Sequence, residues 1–148
     1  MNLDQELNQL DIAGTGINPA PLVDVDLDLG EEDIFLSVPG FFRHLTSYDY
    51  LDIATYSVGL VTPRLTVRRL IYHQSNLHYQ TVRKLAQETR RVDRFHVKLY
   101  LGYRDERCVA AFIGSLNWIT TSSVEIMVRV PRHASLRKWF EKAWESVS

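Results

Sequence analysis

His96-Val97-Lys98 opens one apolar segment of this chain, and Gly114-Ser115-Leu116-Asn117 closes the next. Alternate side chains of a strand share a face, so His96 and Lys98 lie together. Ser115 and Asn117 do the same if their stretch is extended. The spacing gathers an imidazole, an ammonium, a hydroxyl and an amide at the ends of neighbouring strands. This set is suited to gripping and attacking a phosphodiester. Glu125 follows within a few residues.

The elements that must carry these groups are readable in outline. Residues 94–103 alternate Phe95, Val97, Leu99 and Leu101 against His96, Lys98, Tyr100 and Gly102, the pattern of a strand. Gly102 to Glu106 is a polar connection. Cys108 to Ile113 is a continuous apolar run, as in a strand covered on both faces. Residues 124–130 read as another strand, stopped by Pro131. Leu136, Trp139, Phe140, Ala143, Trp144 and Val147 form a helical stripe, which is core. Upstream, residues 38–46 suit a short helix after Ser37, and residues 51–58 suit a strand. Residues 65–72 fit either a helix begun at Thr62-Pro63 or, by their β-branched content, a strand. Ser75 can cap a helix running to about Arg91, with Tyr79, Val82, Leu85 and Ala86 on one side. Strands interleaved with helices predict an α/β fold, a mixed β-sheet sandwiched between helices.

Composition bounds the rest. A chain of 148 residues supports one domain with a real core, placed here at residues 23–148, behind an acidic arm over residues 1–22. The lone Cys108 excludes an internal disulfide and argues against a zinc cluster. No apolar run approaches a membrane span, and the acidic N-terminus does not resemble a signal peptide. The expectation is a cytoplasmic protein with no membrane partner. The net charge of −1 hides a polarity: residues 1–53 carry eleven acids and one base, residues 54–148 sixteen bases and seven acids. Such asymmetry suggests an anionic partner for the basic part, or halves that fold together and neutralise each other.

The combination of His96, Lys98, Ser115 and Asn117 after apolar strand-like runs, with Glu125 downstream, resembles the phospholipase D superfamily. Its signature is His-x-Lys, usually an Asp, then Gly-Ser-x-Asn and a later acid. The resemblance covers residues 94–130. One position departs: the usual Asp, five residues after the Lys, is Tyr103 here, with Asp105 two further on. Family branches with nuclease activity lack that Asp, and its usual role is structural.

The resemblance implies a phospholipase D-like fold and a metal-independent phosphodiesterase with no cofactor. It makes His96 a nucleophile that forms a phosphohistidine. Lys98, Ser115 and Asn117 would hold the phosphoryl oxygens, and Glu125 would accept from the far ring nitrogen of a His in its own or another subunit. The plainer reading of Glu125 is a solvent-facing strand residue. The reaction uses two imidazoles, one attacking and one protonating the leaving oxygen. Large family members carry two motifs in one chain and short ones pair two chains, so the resemblance implies a homodimer with a shared site. His44, His73, His78 and His133 lack a matching context.

The short dimeric members are mostly nucleases, which points to nucleic acid, DNA or RNA. Arg68, Arg69, Arg91 and Arg94, mixed with Tyr72, Tyr79 and His78, could hold phosphates and stack bases; the alternative is the solvated face of ordinary elements. Other functions stay open: a nucleic-acid-binding module or regulator with a weak phosphate site, or a phospholipid phosphodiesterase. Asp24, Asp26 and Asp28 recur at every second position. They could lie over a basic groove and compete with substrate, or form the wet face of an edge strand.

Overall fold

The computed structural model describes residues 33–73 and 78–147. The expected arm at 1–22, the acidic alternation at 23–29 and the proposed cap Ser75 lie outside the described residues.

Seven strands form one mixed sheet, in the order β1-β7-β6-β5-β2-β3-β4. They are β1 (Ile34–Phe35), β2 (Tyr50–Thr55), β3 (Val67–His73), β4 (Glu88–Val92), β5 (Lys98–Arg104), β6 (Arg107–Gly114) and β7 (Met127–Arg129). Strand β2 runs parallel to β3 and antiparallel to β5, β4 is parallel to β3, and β6 is antiparallel to β5. One end of the sheet therefore collects the carboxyl ends of β2, β3, β4 and β6 with the first residue of β5, Lys98. Helices α1 (Val38–Leu45) and α2 (Tyr79–Val82) cover one face, and α3 (His133–Ser146) covers the other. The fold is α/β, a mixed sheet between helices.

Local chemistry explains the elements. Ser37 caps α1 by accepting from Gly40 N–H at 3.2 Å, and Pro39 stands in the first turn, where its missing N–H costs nothing. Helix α1 buries Phe41, Phe42 and Leu45. Phe41 meets Tyr100 and Phe112 edge-on, with centroids 5.2 and 5.5 Å apart. The β5–β6 hairpin turns at Asp105 and Glu106, whose φ values of 51° and 64° match the twist of the flanking strands. The polar connection expected at 102–106 is thus only two residues long. Gly102 lies inside β5, where a Cβ would stand 2.7 Å from the Tyr48 ring.

The helix expected from Ser75 to Arg91 is corrected. Among the described residues of that span, one short helix, α2, is followed by β4. Tyr79, Val82, Leu85 and Ala86 do pack on the core. However, the free edge of β3 demands hydrogen-bond partners, and residues 88–92 supply them in parallel register. The same need resolves residues 65–72 as a strand. The strand expected at 124–130 is shorter, because Ile126 N–H bonds the Ser115 hydroxyl at 3.0 Å instead of a backbone carbonyl.

On the α3 face, Asp52 is fully buried between Arg68 and Arg69. A register shift between Leu51 and Asp52 sets Arg68 as an extra residue opposite β2. Both guanidiniums thereby reach one carboxylate, with Arg69 also bridging to Glu141 at 2.6 Å. The guanidinium of Arg69 lies over Phe140, 5.0 Å from the ring centroid. Arg90 binds the carbonyls of Trp144 and Val147 at the end of α3, where the helix dipole favours a cation. Replacing Asp52→Asn should cost about 3 kcal/mol, because Arg68 loses its counter-charge and Arg69 one of its two. A urea midpoint that drops accordingly with unchanged slope is the expected result; an unchanged midpoint would show the network to be dispensable.

Candidate active site

Lys98 begins β5 opposite Thr55, the last residue of β2. Its ammonium stands 3.0 Å from Nδ1 and 3.2 Å from Nε2 of His96. His96 precedes the strand rather than lying in it, and it is exposed while Lys98 is half-buried. Burial lowers the Lys98 pKa, and the Glu125 carboxylate pulls it part of the way back. The imidazole of His96 also rests against the Tyr56 ring, with centroids 4.7 Å apart and planes tilted by 46°.

Beyond β6, Ser115 and Asn117 lie past the end of the strand and take different partners. The chain bends at Ser115, and the buried Leu116 points into the core between them. The Leu116 carbonyl accepts from the phenol of Tyr100 at 2.9 Å. Burial raises the pKa of that phenol, which keeps it a donor. Ser115 donates its hydroxyl to Glu125, and its backbone N–H bonds the Ile126 carbonyl at 3.0 Å. Gly114 precedes this bend because a Cβ there would fall 2.1 Å from the Ile126 oxygen. Asn117 turns the other way. Its side-chain oxygen accepts from Thr55 Oγ1 and from Ser57 N–H, each at 3.0 Å. With the oxygen committed, the Asn117 NH2 remains the donating end, and among the described residues it has no partner.

The structure thus brings His96 to Lys98, Ser115 to Glu125, and Asn117 to the strand end beside Lys98. Within this chain Glu125 takes the Ser115 hydroxyl rather than an imidazole, and its charge acts on Lys98. Thr55, Tyr56 and Ser57 are site residues that motif reading did not single out. Their signal was only a strand end, which acquires meaning once Asn117 and His96 meet it.

The arginines divide. Arg68 and Arg69 serve the buried Asp52 on the opposite face of the sheet, so the expectation that they contact substrate is replaced by a structural role. Arg91 lies 4.3 Å over the Tyr79 ring and pairs in register with Tyr72, on the face that carries Lys98. Arg94 is exposed in the link before His96, with φ of 48°. Tyr103, in place of the usual Asp, also belongs to the far face. It stacks on Tyr50 with centroids 4.9 Å apart, under the Arg68 guanidinium. The departure from the signature therefore falls outside the cluster.

Among the described residues, no group of three His, Cys, Asp or Glu side chains is placed to hold a metal ion. No described helix is long and apolar enough to cross a membrane. Cys108 is half-buried, and burial raises its thiol pKa.

No family model matches the chain, and no curated protein matches it in sequence. Among solved structures it is similar to NucT from Helicobacter pylori, with a TM-score of 0.55 and 16% identity, over 77% of this chain and 95% of that one. At this identity the likeness is one of fold.

Removing the carboxylate charge with Glu125→Gln should make Lys98 lose its proton at lower pH, because the group that favours its ammonium is gone. The Lys98 side-chain titration, followed by NMR at Cε, checks this. A midpoint that stays or rises would contradict the coupling.

Proposed function

We propose that this chain is a metal-independent phosphodiesterase that cleaves nucleic acid through a phosphohistidine, working as a homodimer. The observation that carries this reading is the Lys98 ammonium seated 3.0–3.2 Å from both ring nitrogens of His96, beside an Asn117 amide turned to donate. The fold shared with NucT supports it.

In this reading, the phosphodiester oxygens draw the Lys98 ammonium and take hydrogen bonds from the Asn117 NH2. A ring nitrogen of neutral His96 attacks phosphorus as the P–O bond to the leaving nucleoside breaks. That oxygen takes a proton from His96 of a second copy. Water then attacks phosphorus, giving its proton to that second imidazole, and the P–N bond of the intermediate breaks. Lys98 compensates the negative charge that builds on the oxygens, a task for which its desolvated position is apt. Ser115 and Glu125 fix the wall from which Glu125 tunes Lys98.

Other histidines of the chain are poorly placed for the second role. His44 pairs with the Tyr48 hydroxyl at 3.1 Å, His78 with the Val58 carbonyl at 2.6 Å, and His73 packs on Tyr56 at 4.8 Å. Exposed apolar side chains are available to a second copy. Leu60 and Val61, in the crossover after Ser57, are 75% and 70% exposed, and Val124, next to Glu125, is 98% exposed. Nucleic acid is favoured as substrate by Arg91, over the Tyr79 ring on the Lys98 face, and by the exposed Arg94 two residues before His96.

Labelled single- and double-stranded DNA and RNA, incubated in EDTA, test the reaction. Cleavage should persist in the chelator, and His96→Ala should abolish turnover while largely retaining binding. Activity that disappears in EDTA and returns with magnesium, or a fully active His96→Ala protein, would overturn the mechanism.

Mixing subunits tests the shared site. Equal amounts of wild-type and His96→Ala chains, allowed to exchange, should retain about a quarter of the activity, since only pure wild-type dimers hold both imidazoles. Retention of about half would mean that each chain works alone.

A further inference from the structure

His96 is exposed, lies before its strand, and is held among the described residues by two contacts, Lys98 and Tyr56. Lys98 cannot by itself fix the ring, because an ammonium on a flexible stem follows whichever anion arrives. Tyr56 is different. Its neighbours Thr55 and Ser57 both bond the Asn117 oxygen, and its own carbonyl accepts from His73 N–H at 3.2 Å. Its backbone is therefore pinned on both sides. Its ring packs on His73, with centroids 4.8 Å apart, as well as on His96.

We propose that Tyr56 is the positioning residue of His96: its ring sets the orientation of the imidazole beside Lys98 and the Asn117 amide. The role rests on reading His96 as the nucleophile. It makes the tripeptide Thr55-Tyr56-Ser57 the common anchor of both halves of the motif, Asn117 through hydrogen bonds and His96 through a ring face. The contact also suits the charge that follows. Attack on phosphorus leaves the imidazole cationic, and an aromatic face attracts a cation. The Lys98 ammonium stands 6.0 Å from the same ring centroid, so the ring faces the cationic partner of the reaction as well. Orientation is where this contact acts, since misplacing a reacting group by about 1 Å can cost roughly a hundredfold in rate.

The test uses the full-length chain and the variants Tyr56→Phe, Tyr56→Ala and Tyr56→Leu, the last retaining bulk if Ala unfolds the loop. NMR of histidine-labelled protein should show the His96 ring protons displaced from the free-imidazole position by the ring current of Tyr56. The displacement should survive in Tyr56→Phe and vanish in Tyr56→Ala and Tyr56→Leu. With a phosphodiester substrate, the two non-aromatic variants should lose roughly tenfold to a hundredfold in kcat at nearly constant KM, and Tyr56→Phe should restore it. His96 resonances that do not respond to loss of the ring would overturn the proposal. So would a lost displacement with unchanged kcat, or an equal loss in Tyr56→Phe. If the wild-type chain cleaves no nucleic acid while the resonances behave as expected, the nuclease reading fails and the placement of His96 by Tyr56 stands.

Discussion

The side-chain oxygen of Asn117 ties the stretch after β6 to the end of β2, and the geometry of the candidate site depends on that tie. Two donors converge on it, the Thr55 hydroxyl and the Ser57 N–H. Thr55 is fully buried, and its one hydroxyl proton is shared between the Asn117 oxygen and the Ser57 carbonyl, each at 3.0 Å; a satisfied bond of this kind is a net gain of about 1 kcal/mol. The tie is extended by Gly59 N–H to the Trp118 carbonyl, by the parallel bridge between Val58 and Trp118, and by Thr120 N–H to the Val61 carbonyl. Residues 57–61 and 117–120 thus run side by side beyond the sheet. The crossover from β2 to parallel β3 contains no helix, and this pairing gives its backbone the partners that a helix would have supplied.

The two faces of the sheet carry different kinds of interaction. The face under α1 and α2 is aromatic, built around Phe41, Tyr100 and Phe112, and Lys98 emerges at its end. The face under α3 holds the ion network. There Asp52 has no exposure at all, and its two arginines lie against the rings of Tyr103 and Phe140. The charge polarity along the chain is resolved in part by this arrangement. Asp52 from the acidic stretch meets Arg68 and Arg69 from the basic one, while Arg90 binds helix carbonyls.

Lys98 shows how burial and charge are balanced in the site. A half-buried ammonium is disfavoured by desolvation, and Glu125 opposes that effect without a direct bond to it. Glu125 is itself fixed by Ser115, whose hydroxyl also accepts from Ile126 N–H. The shortness of β7 has the same origin. A hydroxyl takes the place of a ladder carbonyl, so regular pairing gives way to a bend that aims a carboxylate.

Much of the fold was legible because it follows from periodicity. The α1 start at Ser37, the apolar run of β6 and the stripe of α3 are local patterns that burial enforces, and β5, whose residues Leu99 to Tyr103 are buried on both faces, is apolar throughout that stretch apart from Gly102. The types and order of His96, Lys98, Ser115, Asn117 and Glu125 were legible for the same reason, as a short motif fixed to strand ends. Residues 75–91 are not one helix, since the apolar spacing of Tyr79, Val82, Leu85 and Ala86 suits a helix but says nothing of the open edge of β3. For Arg68 and Arg69 the sequence shows two bases and hides the buried carboxylate they share, which a one-residue register shift brings to both. Tyr56 had no signal at all. Its meeting with His96, like that of Thr55 with Asn117, joins residues far apart in sequence. Contacts of that kind are fixed by strand order and register, which the chain acquires only when the sheet closes.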